Sequence, residues 1–214
     1  MPSASFSPLQ RAVILGSPLT LGVLEVWHPA LGPRDNICST LEPITTWWTV
    51  LHVLQIPLFA LLGIATFLLI RDFPGRVARI GRAASLSFAV VYPAFDAAVG
   101  VASGVMLQSL GTLSPDQRAS LEASLQSLFW GPVTLPIAAI GATAWLVALG
   151  SAAYLWRQRG VPTWVAATLA ASGVLLAITH VRPFGPLACL MFLLGATWIV
   201  RNANAMSLSR QIVP

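Results

Sequence analysis

Asp96 is the residue in this 214-residue sequence most clearly placed to do chemistry, because it stands in the middle of a long apolar run. An ionisable side chain at the centre of a bilayer costs about 2.5–3.5 kcal/mol on insertion scales, which makes it a functional candidate by default. The run reads Tyr92-Pro93-Ala94-Phe95-Asp96-Ala97-Ala98-Val99-Gly100-Val101-Ala102-Ser103-Gly104. At helical spacing Tyr92, Asp96, Gly100, Ser103 and Gly104 share one face. Two chemistries fit a carboxyl there. In one it is hydrogen-bonded to a hydroxyl and holds helices together. In the other it exchanges a proton or binds a cation. Gly100 and Gly104 form a small-xxx-small pair that lets a neighbouring helix come close.

His52 and Gln55 make a second polar group, flanked on the same helical face by Trp48 and Phe59. That face is expected to point into a helix bundle. There His52 either serves Asp96 as a proton partner or joins a buried hydrogen-bonded pair. Glu25 is a third candidate for the same polar vestibule, or else lies at headgroup depth.

The other two histidines, His28 and His180, fall on the same predicted side as His52. Imidazole suits Zn, Cu and Fe, so a metal ion or a haem is one use for the three. Against this, no two of them have helical i,i+4 spacing and no His-Glu-x-x-His run occurs. The expectation is therefore interfacial or hydrogen-bonded histidines and no cofactor, with a His-bound haem or metal redox centre as the alternative. The runs His28-Pro29-Ala30-Leu31-Gly32-Pro33 and His180-Val181-Arg182-Pro183-Phe184-Gly185-Pro186 echo each other as a His followed by a Gly-Pro pair. Cys38 and Cys189 are placed on one side by the topology below, where a disulfide is allowed but not required. No Gly-rich phosphate loop, Cys-x-x-Cys or Gly-x-Ser-x-Gly run is present, so an enzyme is expected only under the alternative of a His-based redox or metal centre.

The elements that must position these residues follow from composition. Of the residues, 56% are hydrophobic and 9% charged, where an ordinary soluble domain has roughly 25% charged. That excludes a water-soluble globule and makes lipid the solvent. Spanning ~30 Å of hydrocarbon takes about 20 mostly apolar residues. Six runs qualify, at about residues 12–27, 46–70, 83–110, 128–156, 162–181 and 187–200.

The cations test this layout, since cytoplasmic loops are enriched in basic residues. All 12 are Arg, which hints at a GC-rich bacterial genome. With the N-terminus inside, Arg11, Arg71, Arg76, Arg79, Arg82, Arg157, Arg159, Arg201 and Arg210 all fall on the cytoplasmic side. The net charge of +5 thus records topology and not a nucleic-acid partner. Trp27, Trp47, Trp48, Trp130, Trp156 and Trp164 lie near span ends and are read as interfacial anchors. Residues 1–10 carry no basic side chain, so the first segment is expected to be retained and not cleaved as a signal peptide.

The sequence therefore predicts an all-α, multi-pass bundle of six transmembrane helices in one domain, residues 1–214, with both termini cytoplasmic, in a bacterial inner membrane. The leading functional expectation is transport or sensing of a small solute or proton through an outward-facing polar cavity around Asp96, His52, Gln55 and Tyr92. The alternatives are the His-based redox centre and a structural subunit docking another membrane chain, or a second copy, through Gly100 and Gly104.

Overall fold

A computed structural model describes residues 6–209. The chain is 83% helical and holds no strand among the described residues. Its helices are α1 (Pro8–Val26), α2 (Ile37–Leu41), α3 (Thr45–Ile70), α4 (Arg76–Asp96), α5 (Ala102–Leu107), α6 (Pro115–Trp130), α7 (Thr134–Gln158), α8 (Thr163–Ile178) and α9 (Phe184–Ser209). A π-helical turn, Ala97–Val101, joins α4 to α5 without a break in direction. Arg210 lies outside the described residues.

Five helical stretches are long and apolar enough to cross a membrane, and α8 is a shorter apolar helix. At 1.5 Å per residue the 16 residues of α8 reach only ~24 Å. The expected fifth span is cut short because the chain turns extended at Thr179, ahead of the Pro183 and Pro186 turn. The expected fourth span also changes. Its first residues belong to α6, and the chain breaks at Gly131 before α7 begins at Thr134.

The six long elements pack as a ring: α1 on α3, α3 on α4, α4 on α7, α7 on α8, α8 on α9, and α9 back on α1. Short connections between consecutive helices make neighbours antiparallel. The segments 27–44, 108–133 and 179–183 therefore gather at one end, called here the outer end, and the segments 71–75 and 159–162 at the other. Close contacts rest on small residues. A side chain at Gly63 would run into Ala89 and Ser85 of α4.

Inner-end anchoring is polar. The Arg82 guanidinium donates to the carbonyls of Ile70, Arg71 and Phe73, 2.8–3.3 Å away, capping the end of α3. Trp156 is buried and donates to the Leu69 carbonyl at 3.0 Å, so it ties α7 to α3 and is not an interfacial anchor. An indole N–H that finds a carbonyl inside the bundle no longer needs water.

The outer end carries its own layer. Residues 111–127, expected as a loop, form most of α6. Its start is a capping box in which Ser114 and Gln117 satisfy each other's backbone N–H groups. Glu122 on α6 accepts from the N–H groups of Ile37 (3.0 Å) and Cys38 (2.8 Å), and Arg118 meets Glu42 at 3.2 Å. Beneath them Ile37, Leu41, Trp48, Val99, Leu125 and Phe129 form a second apolar core. Cys38 and Cys189 are both buried and free, Cys189 lying against Gly22 of α1.

Candidate functional site

The outer half of the bundle encloses a cavity of about 370 Å³. His28, His52, Tyr92, Asp96 and His180 face it, and Phe95, Val99, Leu135, Ala139 and Leu176 supply apolar wall. His28 lies two residues past α1, His52 on α3, Tyr92 and Asp96 at the end of α4, and His180 two residues past α8. The two echoed His-to-Gly-Pro runs thus deliver His28 and His180 to the same place. The polar residues gather here because parallel helices α1 and α8 end at one level, with the antiparallel α3 and α4 between them.

The three imidazoles are the centre of the site. The Nε2 atoms of His28 and His180 are 3.2 Å apart. One ring nitrogen from each of His28, His52 and His180 lies within 4.8 Å of the others. The His28 ring stands edge-on to both partners, with centroids 5.1 Å from His52 and 4.8 Å from His180.

Each Nδ1 is already committed. That of His28 lies 2.7 Å from the Pro29 carbonyl and that of His52 lies 2.7 Å from the Trp48 carbonyl. A carbonyl can only accept, so both Nδ1 atoms carry hydrogen and, in a neutral ring, both Nε2 atoms present a lone pair. His180 Nδ1 is 3.0 Å from the Tyr92 hydroxyl. Facing the bare Nε2 of His28, neutral His180 donates from its own Nε2 and accepts the Tyr92 hydroxyl at Nδ1.

Two buried carboxyls border the cluster. Asp96 Oδ1 is 4.0 Å from His52 Nε2, too far for a direct hydrogen bond, and Asp96 Oδ2 has no hydrogen-bond partner among the described residues. Glu25 is 1% exposed and accepts from the Gln55 amide at 2.6 Å. The other oxygens of that pair, Glu25 Oε2 and Gln55 Oε1, have no partner among the described residues. So Gln55 pairs with Glu25 and not with His52, and Tyr92 bonds His180 and not Asp96.

The backbone around Asp96 is shaped to admit His52. A Cβ on Gly100 would overlap the His52 ring, and one on Gly104 would overlap Thr49 Oγ1. Both glycines therefore face α3. Trp48 Nε1 donates to the Gly100 carbonyl at 2.9 Å and to Ser103 Oγ at 3.0 Å, fastening the π turn to α3. Such π turns inside α-helices are frequent at functional sites. Trp48, expected at headgroup depth, is thus 2% exposed and is a wall of the cavity. Its ring packs on His52 and on Phe129 of α6, with centroids 4.1 and 5.9 Å away.

Local spacing does not group the histidines, since successive members of the cluster are 24 and 128 positions apart in the chain. The π turn also had no sequence signal beyond the Gly100 and Gly104 pair. No protein-family model, curated protein or solved structure matches this chain.

Proposed function

We propose that this chain is a multi-pass membrane protein of a bacterial inner membrane whose outward-facing cavity binds a small polar ligand, for transport or sensing. The single observation that carries the reading is the convergence of His28, His52, Tyr92, Asp96 and His180, from four separate helices or their ends, on one cavity. A purely structural subunit has no use for an unpartnered carboxyl oxygen, that of Asp96, at a cavity edge, because it costs the desolvation of a polar group.

The membrane reading is supported by the outside of the bundle as well as its length. Val23, Val53, Leu54, Val90, Ile140 and Val174 are exposed along helices that would meet water in a soluble protein. A helix that is apolar all round is either buried in a protein core or solvated by lipid, and these side chains are not buried in the bundle. Basic residues supply the orientation: Arg71, Arg76, Arg79, Arg82, Arg157 and Arg159 cluster at the end opposite the cavity.

The test uses reporter fusions and thiol labelling. Fusions at residues 30, 115 and 185 report outside and those at 75 and 160 inside. With Cys38 and Cys189 replaced by Ser, an Ala139→Cys variant reacts with a small membrane-impermeant thiol reagent added from outside. Fusions that fail to alternate overturn the topology. An Ala139→Cys variant inert from outside, with the fold intact, overturns the outward opening.

A further inference from the structure

We infer that the ligand held at the inner edge of this cavity is a divalent d-block cation of the zinc class, bound by Nε2 of His28, His52 and His180, with Asp96 as the fourth donor. The inference rests on the reading of the cavity as a ligand site and names what that ligand is.

Its first support is spacing. Zn–N bonds of about 2.0–2.1 Å in a tetrahedron put ligating nitrogens roughly 3.3–3.4 Å apart. The Nε2 atoms of His28 and His180 already stand at 3.2 Å, and one ring nitrogen from each of the three histidines lies within 4.8 Å of the others. Closing that gap takes a movement of ~1.5 Å at the tip of one imidazole, within the reach of small side-chain rotations.

The second support is the set of partners behind the rings. A metal-ligating histidine almost always gives its other N–H to a carbonyl, carboxylate or water, which fixes the tautomer and the ring's aim. Pro29 O and Trp48 O do this for His28 and His52, and the Tyr92 hydroxyl stands in the same position for His180. Cation binding then needs one rearrangement. His180 shifts its proton from Nε2 to Nδ1 and donates to Tyr92 Oη, which frees the third Nε2 lone pair.

Charge is the third. Three neutral imidazoles bring no counter-charge, and the buried Asp96, with Oδ1 4.0 Å from His52 Nε2 and Oδ2 unpartnered among the described residues, is placed to supply it. Three nitrogens and one oxygen suit zinc and its neighbours, whereas magnesium and calcium take all-oxygen sites.

The experiment uses the full chain purified in detergent, treated with a chelator, and titrated with Zn(II) alone and with Co(II) alone as a spectroscopic probe. Expected are one equivalent of Zn(II) per chain, the visible bands of tetrahedral Co(II), and at least a 100-fold loss of affinity in His28→Ala and His180→Ala. Because alanine there risks the fold, His28→Gln, His52→Gln and His180→Gln are measured beside them with thermal melting. Absence of stoichiometric binding by the wild type overturns the inference, as does unchanged affinity in folded glutamine variants. Failure here with outside labelling of Ala139→Cys intact leaves the cavity reading standing. Binding without that labelling overturns the outward opening and leaves the metal site.

Discussion

The Nε2 atoms of His28 and His180 face each other at 3.2 Å, although 152 positions separate the two residues in the chain. Only one of the two can hold a proton between them while both rings are neutral. A shared hydrogen bond therefore joins them when no cation is bound, and on cation binding at the inferred site that proton moves to His180 Nδ1, facing Tyr92 Oη, so that both Nε2 lone pairs are free. Cation binding and the tautomer of His180 are thereby coupled at this contact, with no proton lost from the three imidazoles.

Tyr92 is positioned to aim His180 in both states, since its hydroxyl sits 3.0 Å from Nδ1. Tyr92→Phe keeps the ring that packs on Phe59 and Phe88 and removes only that oxygen. Zinc affinity is expected to fall 10–100-fold, the usual cost of losing a partner behind a ligating histidine. Competition with a chromophoric chelator measures it. Equal affinities in variant and wild type would mean that the hydroxyl does not orient the ring.

Gly100→Ala places a methyl group where the His52 ring lies. Overpacking of this kind costs about 1–3 kcal/mol, and relief comes from displacing the imidazole. The expected result is a moderate loss of thermal stability with a disproportionate loss of zinc binding. Gly16→Ala, where a Cβ meets nothing within 4 Å, is the matched control and leaves both unchanged. A Gly100→Ala protein that binds zinc like the wild type would show that His52 is not held by this contact.

Trp48→Phe tests the fastening of the π turn. The indole N–H reaches both the Gly100 carbonyl and Ser103 Oγ, at 2.9 and 3.0 Å. Phe cannot donate, and losing a hydrogen bond whose acceptor keeps a second donor, here the Ser103 hydroxyl, costs about 0.5–1.5 kcal/mol. Thermal melting in detergent should show that loss. Hydrogen exchange should show faster opening of residues 97–101 than of α7. A variant as stable as the wild type would mean that Ser103, which also donates to the Gly100 carbonyl, suffices alone.

Much of the bundle was legible before the structure, and for a simple reason. The sequence holds long apolar runs, and the charges excluded from those runs mark their ends. The positions of α1, α3, α4 and α9 follow from that. What sequence pattern could not show is the outer layer, because α6 alternates polar and apolar residues without a clean stripe and gains its order from Glu122, Arg118 and Phe129 meeting α2 and α3. The face shared by Tyr92, Asp96, Gly100, Ser103 and Gly104 was readable from helical spacing, and all five residues are buried. The convergence of three histidines was not, since it is made by helix ends meeting across the ring and no local spacing encodes it. The echoed His-to-Gly-Pro runs were the one trace of it.

Glu122 gives the outer layer a pH dependence. Burial pushes its carboxyl up, but the Cys38 N–H, the Gln126 amide and the Ile37 N–H outweigh burial and hold it below the ordinary glutamate value. A carboxyl depressed in the folded state adds stability above its unfolded pKa, and that stability is lost as pH falls through the folded one. Acidification below about pH 4.3, the ordinary glutamate range, should therefore loosen α2 from α6 and speed hydrogen exchange at the Ile37 and Cys38 amides. Glu122→Gln should exchange faster at neutral pH and lose most of the acid-induced change. Acid-induced exchange as large in Glu122→Gln as in the wild type would place the cause elsewhere.

X-ray absorption at the zinc edge, on the full-length protein loaded with one equivalent of Zn(II), reads the site itself. The inferred cation site requires a four-coordinate centre with three imidazole nitrogens and one oxygen, at about 2.0–2.1 Å, and loss of one imidazole from the signal in His52→Gln. A shell of oxygens alone, or a sulfur contribution from Cys38 or Cys189, would contradict a three-histidine centre.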